Sequence, residues 1–91
     1  MKVLQSFDDT LTYCNRLGFA RGGNIADRQR NLCNAVEVIE KLADNRYPIA
    51  VHFFRPLSDH GFYYATDKQK YGYFAVTTPE GNIRTQSAKG L

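Results

Sequence analysis

The hydrophobic pattern of the chain changes period once. From Phe7 to Ala43 apolar residues recur every three or four positions, and from Pro48 onward they alternate with polar ones or gather in short aromatic blocks. These are the periods of helix and strand respectively. The first stretch predicts two helices. Ser6 with Asp9 three residues on has the form of a capping box, and Phe7, Leu11, Cys14 and Leu17 then fall on one helical face. Gly18 is a natural left-handed stop, and Phe19 beyond it can pack back on the last turn. After the loop Ala20-Arg21-Gly22-Gly23, Asn24 and Asp27 repeat the start signal. Ile25, Leu32, Val36, Ile39 and Ala43, joined by Ala35 and Leu42, make a wide apolar stripe, with Glu37 and Lys41 paired on the wet side. Asn45 and Pro48 end this helix near Asp44, giving about twenty residues or roughly 30 Å.

The second stretch predicts strands at residues 48–54, 62–66, 70–77 and 83–86. The connections are the loop Arg55–Gly61, the polar run Asp67-Lys68-Gln69, and Thr78-Pro79-Glu80-Gly81-Asn82 with Pro then Gly placed for a tight hairpin. The last strand is expected at a sheet edge. Helices first and strands afterwards predict an α+β fold, with two N-terminal helices packed on one face of a three- to four-stranded antiparallel β-meander. The expected organisation is a single domain over residues 1–86 followed by a flexible tail, 87–91.

The strand period divides the aromatic side chains. Nine of the twelve Phe and Tyr residues lie between Tyr47 and Phe74: Tyr47, Phe53, Phe54, Phe62, Tyr63, Tyr64, Tyr71, Tyr73 and Phe74. Ile49, Val51 and Phe53 point one way while Ala50, His52 and Phe54 point the other. The purely apolar sets, with Phe62, Tyr64, Phe74 and Val76, should meet the helices. His52, Phe54, Tyr63, Tyr71 and Tyr73 are left together on the outer face. Tyrosine offers a large contact area with a polar tip, which suits a partner-binding surface. Strand propensity and cross-strand ring packing produce the same residues with no partner at all.

Composition narrows the function classes. The chain has 91 residues, is 43% hydrophobic and 23% charged, and carries a net charge of +3. That is ordinary folded composition, mildly basic, permissive of an anionic partner without demanding one. Cys14 and Cys33 do not form a disulfide framework, and each falls on or beside an apolar stripe, so buried thiols are expected. A Cys14–Cys33 bridge would need the two helices side by side. The first residues lack the apolar run of a signal peptide, and no segment reaches transmembrane length. The expected location is cytoplasmic, with no membrane partner.

Candidate chemistry is sparse. Arg21, Gly22, Gly23, Arg28 and Arg30, with Arg16 nearby, surround a glycine turn into a helix N-terminus, an arrangement able to hold an anion. The same residues also describe an ordinary loop with solvated arginines. Ser58-Asp59-His60 contains triad residue types, but as loop neighbours they read as turn chemistry. His52 and His60 do not make a metal site, and neither cysteine has CxxC spacing. No metal, cofactor or catalytic residue is expected, and therefore no enzyme. Lys70-Tyr71-Gly72-Tyr73-Phe74-Ala75-Val76 has the basic residue and alternating rings that suit base stacking. Its glycine does not follow the basic residue as the RNP1 pattern requires, and no family membership follows.

These observations lead to a small non-enzymatic binding protein that regulates or inhibits a macromolecular partner, another protein first, through the aromatic sheet face, in size and style like the accessory factors and inhibitors of phages and mobile elements. The alternative is a DNA- or RNA-binding module stacking bases on the sheet tyrosines, with Arg21, Arg28, Arg30, Lys68, Lys70 and Arg84 on phosphates. A homodimer through the edge and the aromatic face is compatible with either.

Overall fold

The computed structural model describes residues 1–57 and 66–91. Two helices pack on one face of a four-stranded antiparallel sheet, an α+β fold. The elements are β1 (Lys2–Leu4), α1 (Phe7–Leu17), α2 (Ile25–Leu42), β2 (Ile49–Phe54), α3 (Asp67–Tyr71), β3 (Tyr73–Thr77) and β4 (Ile83–Ser87). In the sheet the order is β1-β2-β3-β4.

The helix starts follow the capping residues. The Ser6 hydroxyl accepts from the Asp9 N–H at 3.2 Å and the Asn24 side chain from the Asp27 N–H at 2.8 Å, each satisfying a donor that the first helical turn leaves unpaired. The Asp9 carboxylate also accepts from the Gln5 N–H at 2.9 Å. Gly18 caps α1, and the Phe19 N–H reaches the Cys14 carbonyl, so the Phe19 ring drops into the core as expected. Helix α2 ends two residues earlier than the pattern suggests. Asp44 and Asn45 both adopt left-handed φ, and the Asn45 N–H closes on the Glu40 carbonyl at 2.9 Å.

The core lies between the helices and the inner sheet face. It gathers Leu4 from β1, Cys14 from α1, Val36 and Ile39 from α2, Ile49 and Val51 from β2, and Phe74 and Val76 from β3. Phe53 pairs with Phe74 across the β2–β3 ladder, and Phe19 meets both rings, at centroid distances of 5.4 and 5.5 Å. A polar network crosses the other end. Thr10 and Tyr47 hydroxyls lie 2.9 Å apart, Thr10 also donates to the Ser6 carbonyl, and Tyr47 donates to Glu40 at 3.4 Å. The network ties α1, α2 and the entry to β2 together.

Several expectations need correction. A strand precedes the helices: Lys2, Val3 and Leu4 pair with Val51, Ala50 and Ile49, making β1 one edge of the sheet. The polar run at 67–69 is helical, with a complete capping box between Thr66 and Gln69, so the strand expected over 70–77 begins only at Tyr73. The strand expected at 62–66 lies outside the described residues apart from Thr66, as do the inward placements of Phe62 and Tyr64. Phe7 and Ile25, assigned to apolar stripes, are exposed. Each is the first residue of its helix. Residues 87–91 start in β4 at Ser87 and return onto the core. Ala88 is buried with its N–H on the Gly72 carbonyl, and Leu91 packs against the core. The hairpin at 78–82 forms where expected, with the Thr78 N–H on the Asn82 carbonyl at 2.8 Å.

Candidate functional site

Because α1 and α2 occupy one side of the sheet, alternate residues of every strand face away from them. The ladder registers align these residues in three rows. One row runs Val3, Ala50, Thr77, Ile83; the next His52, Ala75, Thr85; the last Phe54, Tyr73, Ser87. Exposed apolar groups stand at both flanks of the first row, with Val3 56% and Ile83 70% accessible. Phe54, at 40%, is the accessible ring of the last row.

The rings on this face touch one another. His52 and Phe54, two apart along β2, have centroids 4.2 Å apart, and Phe54 stacks on Tyr73 of β3 at 4.5 Å with planes 10° from parallel. The ammonium of Lys68 in α3 lies 5.4 Å from the Tyr73 centroid and donates to the Thr85 hydroxyl at 2.9 Å. The product is a continuous run from imidazole through two stacked rings to a cation. Offset stacking and the cation over a ring face favour this arrangement, each by about 0.5–1.5 kcal/mol.

The structure thus brings together three of the five residues expected on the outer face: His52, Phe54 and Tyr73. Tyr63 lies outside the described residues. Tyr71 belongs elsewhere. It closes α3 instead of entering β3, and its ring turns to the helix side of the sheet end, where it lines a cleft with Phe19 and Phe53. The chain reverses facing at Gly72, whose φ of 84° and ψ of 177° separate the helix from the strand. Val3 and Ile83 are additions to the face that the pattern of the sequence did not supply, and Lys68, expected only as a phosphate contact, joins it over Tyr73. For Lys68 the available signal was the Thr66-x-x-Gln69 capping box, which marks a helix lying beside the strand that follows.

The arginine cluster at the start of α2 is occupied by the protein's own groups. Arg21 donates to the Leu91 main-chain oxygen at 2.6 Å, Arg28 to the Gly22 carbonyl at 3.3 Å, and Arg30 pairs with Asp27. Asn31 donates to the Arg21 carbonyl. Gly22 is held so close to Asp27 that a Cβ there would lie 2.6 Å from the Asp27 Cβ. The Asn24 cap and the Asp27 carboxylate stand at the helix end where an anion would sit. Arg84 spans Asp44 at 2.7 Å and the Leu42 carbonyl at 3.4 Å.

Both cysteines are free thiols. Cys14 is buried, and burial pushes its thiol up to about 12. Cys33, expected on a buried stripe, is exposed on α2. Burial also raises the hydroxyls of Tyr13 and Tyr47, against the opposing effect of hydrogen bonds from the Phe53 backbone and from Thr10. Ser58, Asp59 and His60 lie outside the described residues. Among the described residues no three His, Cys, Asp or Glu side chains gather as metal ligands would, and no helix is long and apolar enough to cross a membrane. Comparison with known proteins finds no match to any family model, curated protein or solved structure.

Proposed function

We propose that this chain is a non-enzymatic binding protein that regulates or inhibits another protein through the helix-free face of its sheet. The observation that carries this reading is the contiguous run His52–Phe54–Tyr73–Lys68, laid on a rigid two-strand ladder and partly open to solvent. Rings fixed by their neighbours lose little side-chain entropy on contact, which is the property of an interface anchor. The face measures about 14 Å across four strands and about 17 Å along five residues. Its plan area of roughly 240 Å² is well below the ~800 Å² that each partner of a standard interface buries. The rings are therefore part of a larger footprint that extends beyond the sheet face onto α3.

Nucleic-acid binding is the second reading, favoured by Lys68 standing beside a stackable ring. Against it, Arg21, Arg28, Arg30 and Arg84 already hold oxygens of the chain. Lys70 lies over the Tyr71 ring, away from the stacked run. A tagged pull-down from native lysate, with and without nuclease, separates the readings. A stoichiometric protein that survives nuclease and about 0.5 M salt, and is lost in Phe54→Ala or Tyr73→Ala, supports the first, because phosphate contacts weaken steeply with salt. Recovery of nucleic acid alone sinks it.

A further inference from the structure

We infer that a second site, on the helix side of the sheet end, binds a small amphipathic monoanion: a free aromatic or branched-chain carboxylate about one amino-acid residue in size. The site is the cleft between the C-terminal end of α1, the exit of β2 and α3. It encloses about 170 Å³. Phe19 and Phe53 form its floor, set edge to face with planes at 82°, and Phe53 is fixed in turn against Phe74 at 4.9 Å. The floor is a preorganised apolar surface, since moving either ring would disturb the core.

The rim is cationic. Arg21 lies 5.8 Å from the Phe19 centroid and Arg55 lies 5.7 Å from that of Phe53. Lys70 stands outside the lining, 5.2 Å from the ring of Tyr71, which does line it. None of the described side chains lining the cleft is acidic. Four basic residues elsewhere are matched: Arg30 with Asp27, Arg46 with Glu80, Arg84 with Asp44 and Lys89 with Asp67. Arg55 and Lys70 have no carboxylate partner among the described residues. The two larger cavities differ in this respect, one carrying Glu37 and Glu40 and the other Asp9.

The cleft also displays the chemistry it favours. Arg21 takes the main-chain oxygen of Leu91 at 2.6 Å while Leu91 packs against the core, an apolar residue presenting an oxygen to a guanidinium. Arg55, at the rim, can give a second ligand the same combination. Size sets the rest. The volume of about 170 Å³ has room for one ring or branched alkyl group, which leaves the carboxylate at the rim. A hydrophilic anion such as phosphate would gain nothing from the floor.

The test is two-dimensional NMR titration of the full chain with phenylacetate, phenylacetamide and inorganic phosphate. Phenylacetate should saturate in the range of about 1–10 mM, as suits a ligand of its size, with shifts centred on Phe19, Phe53, Arg55 and Tyr71. The amide should bind about tenfold more weakly or worse, because it lacks the charge that Arg55 recognises. Phosphate should leave these residues unmoved. Arg55→Gln should weaken phenylacetate about tenfold without changing the melting temperature. If that variant does not fold, Arg55→Lys, which keeps the charge without the guanidinium fork, should weaken binding severalfold. Equal affinity for acid and amide would overturn the inference, as would shifts centred on His52, Phe54 and Tyr73, or no saturation. A peptide ending in phenylalanine that binds tenfold tighter than phenylacetate would overturn the assignment to a free acid.

Discussion

Replacing Gly72 with alanine should unfold a large part of this protein's stability through two separable effects. The residue has φ of 84° and ψ of 177°, a region that side-chain-bearing residues almost never occupy, and forcing one there costs about 1–3 kcal/mol. A Cβ at this position would lie 2.6 Å from the Phe54 carbonyl oxygen, 2.8 Å from the Phe53 Cζ and 3.1 Å from the Pro56 Cδ. The first contact is backbone of an inner strand and the second is a ring wedged against Phe19 and Phe74, so neither can swing aside. Overpacking of this kind costs a further ~1–3 kcal/mol. The sum, about 2–6 kcal/mol, compares with a total of about 5–14 kcal/mol for a domain of this length. Urea denaturation followed by far-UV circular dichroism measures the change. The midpoint should fall by at least about 1 M. Gly81→Ala is the control, because Gly81 shares a positive φ of 92° but has nothing within 4 Å of its would-be Cβ. Its loss should stay near 1 kcal/mol, the dihedral part alone. A Gly72→Ala protein as stable as Gly81→Ala would refute the close approach of this backbone to β2.

The remaining predictions follow from burial and backbone geometry. A thiol reagent should label Cys33 within the mixing time of the native protein and reach Cys14 only on unfolding; simultaneous labelling would contradict the burial of Cys14. The Cys14 thiol is raised to about 12 from an ordinary value of 9.0, so its contribution is complete below pH 9 and is lost as pH rises towards 12, because the unfolded chain releases that proton first. Tyr13 and Tyr47 shift in the same direction. The melting temperature should therefore fall steeply above pH 9, and Cys14→Ala should flatten part of that slope. Asn45, at φ 56°, should accept glycine with no loss or a gain of about 0.5 kcal/mol, whereas Asn45→Val should lose about 1–2 kcal/mol in the same urea assay.

The parts of this fold legible in the sequence are those whose pattern is long enough to repeat. Helices α1 and α2 announce themselves through caps and stripes of several turns, and β2 shows three full alternations, which place Phe53 inward and Phe54 outward. Strand β1 is three residues long and makes sense only beside residues 49–51, a pairing that no local pattern carries. The misplacement of Tyr71 has a sharper cause. Five residues of helix precede Gly72, too few for a helical period to compete with the ring alternation of the strand beyond. The Thr66–Gln69 box was the better guide there. The candidate face was readable where alternation fixed it, at His52, Phe54 and Tyr73. It was unreadable where tertiary contact supplies it, at Lys68. The fate of the arginines could not be read either, since pairing Arg84 with Asp44 requires β4 to lie beside the end of α2.

Strand β2 gives its odd-numbered residues to cohesion and its even-numbered residues to the exterior, and neither set needs the identity of the other. Ile49, Val51 and Phe53 must suit Phe74, Val76 and the helices; His52 and Phe54 need suit only Tyr73, Lys68 and whatever meets them from outside. Substitutions at positions 52, 54 and 73 should therefore leave the inner core intact and cost only the ring and cation contacts they make, about 0.5–1.5 kcal/mol each. The scaffold therefore has a face that can be varied at modest cost, which also makes it a practical frame for selecting new binders.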